Sequence, residues 1–138
     1  MSKRNVTVRM KADYEYEAVN PQGNVVQIDM YDAPEKSAQS PMDLLLSALG
    51  SCAAVDAVLM MKKKRKTVDS FTVDVEGIRN DGVPAFYTDI HLSFTLVSPD
   101  ANEVEFGKVV ALSVDKYCSV ASSLNPKITY SYLVKKPE

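Results

Sequence analysis

The run LLLSALGSCAAVDAVLMM, Leu44 to Met61, constrains this chain more than any other feature. A segment so long and apolar is either a membrane span or a buried core helix. The core helix is the better reading. Asp43 and Asp56 sit in or beside the run, and Ser47, Gly50, Ser51 and Cys52 interrupt its apolar surface. Around Cys52 the helix is apolar or small on nearly every side, and such a helix is buried on nearly every side. The chain, with 138 residues, suits a single domain spanning 1–138. Two small sheets and one further helix hardly cover this helix, so a second copy of the chain is expected to, giving a homodimer with the helix at its centre.

The ends of the helix are marked locally. In SPMD, Ser40 is a plausible N-cap, Pro41 takes the first helical position and Asp43 stands in the first turn near the positive end of the helix dipole. The run KKKRK, Lys62 to Lys66, reads as a solvated C-terminus facing the negative end. A nucleic-acid patch is disfavoured there, because no aromatic residues interleave and the net charge is −2.

Elsewhere the hydrophobic period is two. Val6, Val8, Met10, Ala12, Tyr14, Tyr16 and Ala18 alternate with polar residues, in a strand long enough to bend or break once. NPQGN is a turn, and VVQIDMY returns as a second strand with Val26, Ile28 and Met30 inward. SFTVDVEGI and FYTDIHLSFTLV form a second strand pair, SPDANEVEFGKVVALSVDKYC a second helix ending near Cys118, and KITYSYLV a last strand. The expected order is β-β-α-β-β-α-β, an α+β fold with mainly antiparallel sheet. His91, the single histidine, is expected to be an exposed strand residue.

Two cysteines and one histidine are too few for an ordinary four-ligand zinc site. No cofactor, membrane or nucleic-acid partner is expected. The N-terminal MSKRNVTVRM is basic but lacks an apolar stretch, which points to the cytoplasm, where a cysteine pair cycles rather than staples. Thiolate is the reactive form, and making it the majority at neutral pH asks for a downward pKa shift of about two units, roughly 2.7 kcal/mol. Mid-helix burial works against this, so from the residues alone Cys52 is more simply a buried inert cysteine. The small residues from Ala48 to Ala54 admit either close helix packing or room kept beside a thiol. Gly50 costs the helix about 1 kcal/mol relative to alanine.

SPMDLLLSALGSCAAVDAVLMMKKKR, followed later by DKYCSVASSLNPKITYSY, resembles the OsmC/Ohr family, the osmotically inducible and organic hydroperoxide resistance proteins. The order of elements matches over nearly the whole chain. The resemblance implies an intertwined homodimer and a thiol peroxidase acting on organic or lipid hydroperoxides. In that reading Cys52 is the peroxidatic thiolate, Cys118 the resolving thiol, and a dithiol or lipoyl-bearing protein the reductant. The sequence also departs from the pattern. Met42 stands where the family peroxidases carry a glutamate, with Asp43 one residue on, and the N-terminal loop region lacks the expected arginine. Arg9, Lys11 and Arg79 are the nearest cations, and Arg9, Arg79 and Asp43 are the candidates to stabilise a thiolate. The rival expectation is a non-catalytic relative that binds a small apolar ligand or senses redox state.

Overall fold

A computed structural model describes residues 1–138. The fold is α+β, with two separate three-stranded sheets. Strands β1 (Thr7–Ala12), β2 (Glu15–Val19) and β3 (Val25–Asp29) are followed by helix α1 (Pro41–Lys63). Strands β4 (Ser70–Arg79) and β5 (Tyr87–Val97) come next. Helix α2 (Glu103–Leu112), a π-helical turn (Ser113–Tyr117), the one-turn helix α3 (Ser119–Ser123) and strand β6 (Lys127–Lys135) complete the chain. Two compact units divide it, Met1–Leu45 and Leu46–Glu138, with the boundary inside α1.

In the first unit the strands form an antiparallel meander in the order β1-β2-β3. The long period-two segment is a hairpin, folded back at Asp13 and Tyr14. Val8 lies opposite Ala18 and Met10 opposite Tyr16, and these pair on with Val26 and Ile28. Directly opposed residues share a face. Even-numbered residues therefore stay on one side through both turns, and alternation alone does not reveal the reversal. The NPQGN turn is closed by Asn20, whose side-chain oxygen accepts the Asn24 N–H at 2.8 Å, with Gly23 at a φ of 89° that favours glycine.

One expected detail is different. Met30 and Val26, expected inward, are 58% and 46% exposed, whereas Asp29 is buried. Its carboxylate turns into the following loop and accepts bonds from Lys36 Nζ at 2.8 Å, the Ser37 N–H at 2.8 Å and the Ala38 N–H at 2.7 Å. A buried charge persists when paired and hydrogen-bonded in this way. The lysine bond, reinforced by the backbone N–H groups, holds its pKa well below the ordinary carboxylate range, against the opposing effect of burial.

Helix α1 starts and stops as its flanking residues dictate. Ser40 Oγ accepts the Asp43 N–H while the Asp43 carboxylate accepts the Ser40 N–H, both at 3.2 Å, a reciprocal capping box. At the other end Lys66 N–H reaches Met61 O at 3.1 Å and Arg65 N–H reaches Lys62 O at 2.9 Å. This Schellman closure places Arg65 in the left-handed region at a φ of 61°.

In the second unit the order is β4-β5-β6, with β4 antiparallel and β6 parallel to β5. A parallel neighbour requires a crossover, which the segment from α2 through α3 supplies. The face of β5 carrying Ile90, Leu92, Phe94 and Leu96 is fully buried, as alternation predicts. Phe106 of α2 packs edge-on to Phe71 and Tyr132, with ring centroids 5.8 and 6.4 Å apart. From α1 the residues Leu49, Ala53, Ala57 and Met61 join this core at helical spacing. By length and composition α1 is also long and apolar enough to cross a membrane. Gly50 lies so close to β4 that a Cβ there would meet Val75 Cγ2 at 2.8 Å. The small residues around Cys52 thus include one that allows close packing.

Candidate functional site

Cys52 sits on the edge of α1's buried stripe and is half-buried. At 100° per residue it shares one strip of the helix with Asp56, Leu59 and Lys63, four, seven and eleven positions on. Cys118 reaches the same place by a different route. Asn102 caps α2 by accepting the Glu105 N–H at 2.8 Å, and after Leu112 the helix widens into the π turn. The Cys118 N–H closes that turn on Ser113 O at 2.8 Å. The buried Ser113 hydroxyl donates to Ala53 O at 2.8 Å, the residue next to Cys52. Ser113 therefore ties the segment bearing one cysteine to the helix bearing the other. A second tie comes from Tyr130 of β6, whose hydroxyl donates to Asp115 at 3.0 Å. Burial, and then this carboxylate, raises the phenol's pKa. Such π turns are common at functional sites.

The outcome is a pair of free thiols near enough for Cys52 to act on the electrostatics of Cys118. Cys118 is 1% exposed, and its sulfur accepts the Ala121 N–H at 3.4 Å. Burial pushes the Cys118 thiol up, and the nearness of Cys52 adds to that. The N–H groups of Ala121 and Val120 pull the other way. Cys118 is thus a neutral, sheltered thiol beside a more accessible one.

The other candidates have partners of their own. Arg9 pairs with Glu17 at 3.3 Å on the first sheet, and Arg79 Nε donates to Ala85 O at 2.7 Å beyond β4. Asp43 caps α1. Lys11 Nζ donates to Gln27 at 2.9 Å. His91 lies on the face of the second sheet away from the core, between the hydroxyls of Thr129 at 2.6 Å and Ser131 at 3.1 Å. No group of three or more His, Cys, Asp or Glu side chains is placed to hold a metal ion. Sequence reasoning missed Ser113, whose only signal was its place in SVDKYC, just before the second cysteine.

The chain belongs to the OsmC family: residues 34–132, a span containing both cysteines, match the family described as OsmC-like protein. Protein YhfA of Escherichia coli (strain K12) is 37% identical over 99 residues, which cover 70% of this chain and 74% of that protein. A solved structure of a hypothetical protein from Aquifex aeolicus VF5 superposes with a TM-score of 0.87 at 26% identity, covering 100% of both chains. The organic hydroperoxide resistance protein OhrB of Bacillus subtilis shares the fold at a TM-score of 0.64 and 12% identity, covering 97% of this chain and 98% of that one. The resemblance carried by the two cysteine segments is therefore one of family and fold.

Proposed function

We propose that the protein is a cysteine-based peroxidase that reduces organic or lipid hydroperoxides in oxidative stress defence. The observation that carries this reading is the proximity of Cys52 to Cys118, close enough to raise the pKa of the buried thiol. Their unequal burial supports a division of roles. Cys52, the more accessible, attacks as thiolate: a sulfur–oxygen bond forms to the distal peroxide oxygen, the oxygen–oxygen bond breaks, and the alkoxide takes a proton from water. Cys118, kept protonated by burial, then attacks the Cys52 sulfenic acid. The sulfur–sulfur bond forms, and hydroxide leaves as water with the Cys118 proton. An external dithiol, free or carried as a lipoyl group on a protein, returns both thiols by exchange. The apolar helix beside Cys52 favours alkyl peroxides over hydrogen peroxide.

The working form is a cytoplasmic homodimer. Support comes from apolar surface left open on each unit: Val8 and Met10 on the first sheet are 61% and 63% exposed, and Val55 on α1 is 58% exposed. A second copy covers such faces at no cost in new sequence.

The test is mass spectrometry after substoichiometric cumene hydroperoxide. A Cys52–Cys118 disulfide, about 2 Da lighter than the dithiol, is expected. Cys52→Ser abolishes turnover, and Cys118→Ser accumulates a dimedone-reactive sulfenic acid at Cys52. Two thiols that stay reduced and unlabelled through this treatment leave the non-catalytic ligand-binding relative as the better account.

A further inference from the structure

Both cysteines are free thiols, and two hydrogen bonds tie the segments that carry them. The Cys118 N–H donates to Ser113 O at 2.8 Å, and the Ser113 hydroxyl donates to the carbonyl of Ala53, next to Cys52, also at 2.8 Å. Cys118 is part of the buried core, and Cys52 packs against that core together with Val120, Ala121 and Leu124. The two thiols therefore share a largely apolar surround. No histidine, aspartate or glutamate joins them to make a group of three metal-binding side chains. The Ala121 N–H donates to the Cys118 sulfur at 3.4 Å. A disulfide brings two sulfurs to about 2.05 Å. A metal ion shared between them asks for roughly twice a metal–thiolate bond of about 2.3 Å. Separate thiols standing beside each other are nearer the second arrangement than the first.

We propose that the reduced Cys52–Cys118 pair is a two-coordinate site for a soft monovalent cation, copper(I), held by the two sulfurs alone. Ligand number selects the metal. Zinc takes four donors, or three and a water in an open site, and no third side chain of that kind joins the pair. Copper(I) is soft, prefers sulfur to oxygen and is satisfied by two thiolates. The apolar surround keeps out water and further ligands, which preserves the low coordination number. On binding, two sulfur–hydrogen bonds break, two copper–sulfur bonds form, and both protons pass to solvent. No electron is transferred, and copper stays monovalent. The resulting bis-thiolate carries one negative charge, which the Ala121 N–H offsets in part. The site uses the same nearness of thiols as the peroxidase reading but no peroxide chemistry. Only its consequence rests on that reading: with both sulfurs on copper, no thiolate is free to attack a hydroperoxide.

The test is anaerobic titration of the reduced full chain with copper(I) buffered by bathocuproine disulfonate. Each chain is expected to withdraw a single copper ion, and X-ray absorption at the copper edge to read two sulfur neighbours with no nitrogen or oxygen. Cys52→Ser and Cys118→Ser should each lose this uptake. Alkylation of Cys52 with iodoacetamide, on the folded wild type, should abolish it too, and this serves if either variant fails to fold. Uptake retained by a chain with one thiol overturns the proposal, as does a copper ion with three or more ligands. Phenylarsine oxide, which bridges neighbouring thiols, separates the two readings. If it bridges the pair but copper is not withdrawn, the copper site is lost and the peroxidase reading stands. If copper binds as described but cumene hydroperoxide leaves both thiols reduced, the peroxidase reading is lost and the copper site stands.

Discussion

Replacing Gly50 by alanine sets two known effects against each other two residues from Cys52. Helix propensity favours the change by about 1 kcal/mol. Packing opposes it, because the new Cβ would lie 2.8 Å from Val75 Cγ2, whereas carbon atoms rest at about 3.5–4.0 Å. The valine does not swing aside freely: it is β-branched, in a strand, and paired directly with the fully buried Leu92. Relief must come from moving α1 off the sheet in a region where Leu49 and Ala53 are fully buried. Overpacking of this kind costs about 1–3 kcal/mol, so the expected net effect is a loss of about 1 kcal/mol. The reasoning is sharpest in a double-mutant cycle with Val75→Ala, which removes the methyl group in question. In that background Gly50→Ala should stabilise by about 1 kcal/mol, a reversal of sign and a coupling of about 2 kcal/mol. Urea unfolding of the four proteins, at one protein concentration so that any assembly is held constant, measures it. An alanine that stabilises both backgrounds equally would show that α1 and β4 are not in the close contact described.

The same approach applies to two other residues. Ser113→Ala should cost about 0.5–1.5 kcal/mol, the net value of one hydrogen bond, because Ala53 O keeps its helical partner. It should also slow Cys52–Cys118 disulfide formation, and unchanged melting and unchanged oxidation together would remove Ser113 from its positioning role. Asp29 makes stability depend on acid. Its folded pKa lies below the unfolded value of about 3.9, so its contribution is complete above that value and fades as pH falls through and below about 4. The gap in urea midpoint between the wild type and Asp29→Asn should therefore be widest near neutrality and narrow below pH about 4. A gap constant from pH about 7 to about 3 would contradict the buried-carboxylate account.

Much of the fold is written in neighbouring residues. Ser40, Pro41 and Asp43 start α1 and the lysine run ends it through interactions that span at most one turn. The buried face of β5 follows from alternation alone. The hairpin at Asp13 and Tyr14 was hidden because opposed residues share a face. The π turn and α3 were hidden because a widened helix keeps nearly the same apolar spacing as a regular one. The buried Asp29 was hidden because its partners lie in a loop with no periodicity to read.

Local chemistry thus decided the helices, the strands, the chain's family and the identity of two cysteines worth attention. Packing decided that β6 lies parallel to β5, that Ser113 reaches Ala53, and that one thiol is sealed while its neighbour remains within reach. The division follows from range. Capping and periodicity act over a few residues and leave marks in order along the chain. The meeting of two sulfurs, and the burial that keeps one of them protonated, depend on segments brought together only when the core closes.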